Sequence, residues 1–129
     1  MNKIRFGIIG SGGIARKRTI PGLMLSKNAS VEAIMDLNET SLNEVGEEFG
    51  VAKRYASVEE ILADKDIDAV YIATPVFCHK EQVFAAADAG KHILLEKPMG
   101  LTSNEGEEME KYCKEKGVLL GVGFMMRLH

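Results

Sequence analysis

Along the chain, short apolar runs rich in β-branched and aliphatic residues alternate with longer stretches whose apolar positions recur every three or four residues. Six runs of the first kind stand out, at 3–9, 30–36, 53–55, 69–73, 92–96 and 118–122. Several are apolar on both faces, as strands are when helices cover each side of a sheet. This alternation predicts repeated βαβ units. The expected fold is α/β and doubly wound, a mostly parallel six-stranded sheet with helices on both faces.

Local signals punctuate the helical stretches. Ser57 with Glu60 and Thr102 with Glu105 have the spacing of capping boxes, which satisfy free amide donors at a helix start. Gly90 and Gly117 follow helical patterns directly and predict their ends. Pro21 falls inside the first helical pattern, so that helix is expected to break or kink near Ile20. Gly106 weakens the last one mildly. No repeat or linker interrupts the rhythm, so residues 1–129 are expected to form a single domain. Because the sequence closes directly after a strand, a further domain for substrate and oligomer contacts is expected to lie outside these residues.

Composition narrows the function classes. The chain is 46% hydrophobic and 27% charged, within the range of a soluble globular domain. A net charge of −3 offers no basic stripe for releasing counterions from nucleic acid. Cys78 and Cys113 stand far apart without CxxC spacing, so neither a disulfide framework nor a zinc site is indicated. His92 and His129 have no ligand-spaced partners, and no metal site is expected. No apolar run has the length of a membrane span, and the apolar start lacks a signal cleavage site. The expectation is a reduced, cytoplasmic protein without nucleic-acid or membrane partners.

The first strand-to-helix junction carries the chemistry. Gly10, Ser11, Gly12, Gly13, Ile14 and Ala15 match GxGxxG/A between a strand and a helical pattern. Gly10 allows a tight turn, Gly12 lets backbone approach a pyrophosphate, and Ala15 is small enough for close helix packing. The helix start adds amide donors and a positive dipole end for phosphates. This is the pattern of the Rossmann arrangement; a Gly-rich turn with a purely structural role is its alternative. Asp36 closes the second strand run, where a carboxylate accepts hydrogen bonds from the adenosine ribose; a cap ahead of Asn38 is its alternative role. Like charges repel, so Asp36 disfavours a 2′-phosphate, and no Arg or Lys follows at Leu37 or Asn38 to clamp one. NAD is the expected cofactor and NADP the less favoured one.

Two further clusters end the fourth and fifth runs: Ala73, Thr74, Pro75, Val76, Phe77, Cys78, His79, Lys80 and Glu81, then Glu96, Lys97 and Pro98. Open α/β sheets bind ligands at this carboxyl edge. Here the chain resembles the Gfo/Idh/MocA family, the glucose-fructose oxidoreductase and inositol dehydrogenase relatives. The likeness is carried by GIIGSGGIA at 7–15, Asp36, ATPxxxHxE at 73–81, EKP at 96–98 and the closing GVGFMMRLH at 121–129. One departure is Val76, where the family usually has Asn. This puts in doubt a polar contact there, while Thr74 and Pro75 still shape the loop.

The resemblance implies hydride transfer between nicotinamide and a carbon bearing a hydroxyl or carbonyl, on a sugar, cyclitol or related polyol. It makes Lys97 the catalytic residue, donating a hydrogen bond or relaying a proton to the substrate oxygen, and sets Glu96 beside the nicotinamide ribose. A fixed cation aimed at an oxygen gaining negative charge stabilises the transition state more than the ground state. A solvated surface lysine is the plain alternative. The resemblance also puts Arg127 near the cofactor, in a full-length protein expected to be a homo-oligomer. His79 is either a cofactor-cleft residue or simply a helix-start residue. Pro98 is a candidate cis proline. Met125 and Met126 fit core or a contact with the outlying domain. A non-catalytic dinucleotide sensor would keep the glycine turn without Lys97 or Glu96, and a methyltransferase would not combine the turn with both later clusters. The domain by itself is expected to bind cofactor weakly and to show no turnover.

Overall fold

The computed structural model describes residues 3–13, 15–96 and 102–122. Six strands form one sheet: β1 (Ile4–Ile9), β2 (Ala29–Met35), β3 (Lys53–Tyr55), β4 (Ala69–Ile72), β5 (His92–Leu95) and β6 (Leu120–Val122). Their order is β3-β2-β1-β4-β5-β6, and every neighbouring pair is parallel. The chain winds outward from β1 to β3, returns to β4 beside β1, then winds the other way. The carboxyl ends of β1 and β4 therefore flank the point where the winding reverses, the place where such sheets leave a crevice.

Side chains alternate between two apolar layers because successive strand residues point to opposite faces. Ile8, Ile34 and Tyr71 pack against Ile20 and Leu23 of α1 (Ile20–Leu25) and Leu42 and Val45 of α2 (Glu39–Phe49). On the other face, Ile9, Met35 and Ile72 meet Ile61 of α3 (Val58–Leu62), Val83 of α4 (His79–Asp88) and Met109 of α5 (Ser103–Lys116). Both faces are thus covered, as the doubly apolar strands require.

All six runs are strands, with ends that differ by a residue or two. Ala73 and Glu96 lie just past β4 and β5, yet their amides still donate to Ile9 and Ile72 at 2.9 Å. The ladder bond persists while the backbone turns away. Pro21 changes the helix as expected: a wide helical turn over Ala15–Thr19 gives way to α1, whose first turn holds the proline where its missing N–H costs nothing. Ser57 and Thr102 each accept an amide, from Glu60 and Glu105, at 3.2 Å. Gly90 and Gly117 have left-handed backbone just past α4 and α5.

The amino-terminal edge of the sheet is tied by charge. Asp68, before β4, accepts from the Arg5 amide at 2.8 Å and from its guanidinium at 3.1 Å. Lys53 pairs with Glu32, Asp64 and Asp66 at 2.8 to 3.3 Å. Lys91 is buried, and its Nζ donates to the carbonyls of Asp64 and Ile67 at 2.8 and 2.7 Å. Burial pushes the Lys91 ammonium below the usual lysine range. Among the described residues, no helix is long and apolar enough to cross a membrane.

Candidate functional site

At the opposite, carboxyl edge the loops after β1, β2, β4 and β5 surround a cleft of about 750 Å³. Gly10 begins it. Its amide donates to the Met35 carbonyl at 2.9 Å, and its φ of +89° is a left-handed conformation that favours glycine. A Cβ there would stand 3.0 Å from Thr74 Cγ2 and 3.1 Å from the Ala73 carbonyl carbon. Gly10 is therefore required by the close approach of the β1 and β4 ends, in addition to the turn itself.

Gly12 is different. Its φ is not positive, and a Cβ would meet only Ser41 Oγ at 3.4 Å and Asp36 Oδ2 at 3.8 Å, both ordinary contacts. The fold alone would tolerate a methyl group at this position. What a methyl would occupy is the cleft, which Gly10, Gly12 and Gly13 line together. Behind them, Ser11 and Ala15 are fully buried. Ser11 Oγ donates to Asp36 Oδ2 at 3.4 Å, so it orients the acid instead of facing the cleft.

Asp36 takes the capping role that its position suggested, and it also lines the cleft. Its Oδ1 accepts from the Asn38 amide at 2.9 Å, closing a turn ahead of α2, which Asn38 caps by accepting from Ser41 at 2.9 Å. The residue also lines the cleft, with Oδ2 on the side of Ser11 and Gly12. The turn holds the carboxylate in one orientation. A carboxylate held this way can accept a further donor without further loss of rotamer freedom.

Thr74 and Pro75 line the opposite wall, and Glu96 lies at the end of β5. The Tyr71 hydroxyl donates to Glu96 Oε2, and the Thr74 hydroxyl donates to Gln82 Oε1. His79 stands behind the loop: it opens α4, is buried, and does not line the cleft. Ile14, Lys97, Pro98, Met125, Met126, Arg127 and His129 lie outside the described residues. The structure thus gathers Gly10, Gly12, Gly13, Asp36, Thr74, Pro75 and Glu96 around one space.

Several contributors carry no motif. The start of α3 supplies Ser57, Val58 and Glu59 to the wall, and the only local signal was the capping box. Leu37 and Phe77 are 84% and 71% exposed on the cleft lips, apolar groups left in water beside a polar trough. Asp36, Glu59, Glu81 and Glu96 all line the cleft, and no Lys or Arg is among its described lining residues. An anion there would meet neutral donors and no side-chain cation among the described lining residues.

Comparison with known proteins agrees with this geometry. Residues 4–124 match the oxidoreductase family with an NAD-binding Rossmann fold. D-xylose 1-dehydrogenase (NADP(+)) 2 of Haloferax volcanii is 40% identical over 124 residues, 96% of this chain and 38% of that protein. A 3-ketoreductase from Actinomadura kijaniata, solved with TDP-benzene and NADP, superposes with a TM-score of 0.90 at 33% identity, over 95% of this chain and 39% of the other. An oxidoreductase from Agrobacterium radiobacter, solved with NAD+, L-tartaric acid and magnesium, gives 0.90 at 28% identity, over 94% of this chain and 35% of the other. The chain therefore spans less than two fifths of the length of these relatives.

Proposed function

Because this chain belongs to the oxidoreductase family with an NAD-binding Rossmann fold, we propose that it is the cofactor half of a dehydrogenase or reductase acting on a sugar, cyclitol or related polyol, with NAD as the preferred cofactor. The cleft fits a dinucleotide: a Cβ at Gly13 would meet open space, one at Gly12 would make only ordinary contacts, and the nearest carboxylate is held in place by its own turn. Amides of the glycine turn would hold the pyrophosphate, Asp36 the adenosine ribose, and Glu96 the nicotinamide ribose. When bound, the cofactor supplies or accepts a hydride. Lys97, next to Glu96 in sequence, would donate a hydrogen bond to the substrate oxygen or relay its proton, and Arg127 would contribute to the cofactor site. The substrate-recognising part of such a protein, and its oligomer contacts, would come from residues beyond this domain.

Family membership leaves the cofactor open, since the relatives include proteins solved with either one. Asp36 carries the choice. Its fixed carboxylate, in a cleft whose described lining has four acids and no lysine or arginine, would face a 2′-phosphate with repulsion and nothing to offset it. Titrating the purified chain with NADH and NADPH tests this. NADH is expected to bind at least about tenfold more tightly, a difference near 1.4 kcal/mol. Tighter NADPH binding would overturn the cofactor preference, and absence of binding by either would overturn the proposed function.

A further inference from the structure

His79 opens α4, is deeply buried and does not line the cleft. The residue is 1% exposed, with Nε2 at 2.8 Å from the Thr74 carbonyl oxygen. A carbonyl oxygen only accepts, so this bond needs the proton on Nε2. Three residues further along α4, on the same helix face, Gln82 accepts from the Thr74 hydroxyl. Helix α4 therefore grips Thr74 at two atoms. The remaining branch of that side chain, Cγ2, is the group lying 3.0 Å from where a Cβ on Gly10 would be. Between them the loop closes on itself, with the Cys78 amide donating to Pro75 at 2.9 Å and the His79 amide to Val76.

We propose that His79 is a positioning residue for the dinucleotide cleft. By holding the Thr74 carbonyl, it keeps the β4 loop pressed against Gly10 and so sets the separation between the glycine turn and the opposite wall. The assignment rests on the dinucleotide reading of the cleft. It extends that reading to a residue that would touch no ligand. Loss of the bond would free a partly buried carbonyl and let Thr74 drift, and the ligand would have to restore the geometry on binding.

Two variants separate the donor from mere bulk. Glutamine can place an amide donor near the position of Nε2, whereas methionine has similar length and no donor. The unmodified chain must first bind NADH; failure there sinks the proposed function and not this assignment. Given binding, His79→Met is expected to weaken NADH about tenfold and His79→Gln by no more than about threefold. Equal losses in both, or no loss in a folded His79→Met, would overturn the assignment. If His79→Met does not fold, His79→Asn replaces it, since its amide is too short to reach. Nitrogen-15 spectra of the unmodified chain give an independent reading: a protonated Nε2 is expected, and a bare Nε2 would overturn the assignment whatever the variants do.

Discussion

Replacing Asp36 with Asn changes charge while leaving the local architecture in place. The amide carbonyl can still accept from the Asn38 N–H, a bond of 2.9 Å in the structure, so the turn ahead of α2 should survive. What disappears is one negative charge facing the cleft. Two unit charges about 4 Å apart repel by roughly 4 kcal/mol at an effective dielectric near 20 and by about 1 kcal/mol in water. An open cleft lies between these limits, so about 2 kcal/mol, or roughly thirtyfold in NADPH affinity, is the expected gain. NADH should lose about fivefold, because hydrogen bonds from its ribose hydroxyls would no longer be charge-assisted. The preference should then move toward NADPH by on the order of a hundredfold. Fluorescence titration with both cofactors at low and high ionic strength would measure it, and the NADPH gain should shrink in high salt. Unchanged NADPH affinity in a folded Asp36→Asn protein would refute the electrostatic reasoning outright.

Other perturbations probe the rest of the frame. Gly12→Ala should leave stability within about 1 kcal/mol of the starting protein, because the backbone and neighbours accept a methyl, yet it should weaken NADH more than about tenfold; retained binding would remove Gly12 from the site. The Arg5 guanidinium and amide hold the Asp68 carboxyl below the usual carboxylate range. A depressed folded value contributes stability that is present above the unfolded value near pH 4 and lost as pH falls through the folded one, so urea midpoints should drop on the acid side, and less so in Asp68→Asn. For Lys91 the folded value is lowered by burial, and the unfolded chain binds the extra proton between the two values. Its contribution should therefore become more favourable as pH rises toward the ordinary lysine range. Lys91→Met strands two carbonyls and should cost about 1 to 2 kcal/mol in denaturant unfolding at neutral pH, some of the loss being offset by removal of a buried charge.

Most strands were legible because each is a run of adjacent, mainly apolar residues, and the ligand edge because its motifs follow such runs. Asp36 was legible as an acid at a strand end. That one carboxylate could serve both the turn and the cleft was not, since the two roles use different oxygens. Tyr71 and Glu96 are 25 residues apart and meet only through the β4–β5 pairing. Arg54 shows the same limit: a Cβ on Gly46 would collide with its guanidinium, so the glycine in the middle of α2 admits a crossing side chain whose need no local pattern reveals. Gln82 had no motif either, because its partner is fixed by how the β4 loop folds back on α4.

The two edges of the sheet treat charge in opposite ways, and this separates stability from binding. At the amino edge Arg5 and Lys53 are matched to carboxylates within a few ångströms, and Lys91 to carbonyls. At the carboxyl edge Asp36, Glu59, Glu81 and Glu96 line the cleft, and none of them joins an ion pair among the described residues. A dinucleotide carries a pyrophosphate, so acids around the rim would repel it unless a positive region lay at the centre. On the proposed reading, the amides at Gly12 and Gly13 and the helix start beyond them would supply that region, and its reach would fall off within one helical turn. An anion would accordingly be favoured at the turn and disfavoured a few ångströms away, beside Asp36. On the proposed reading, discrimination against a second phosphate on the ribose would follow from the same short range that would let the first pair bind.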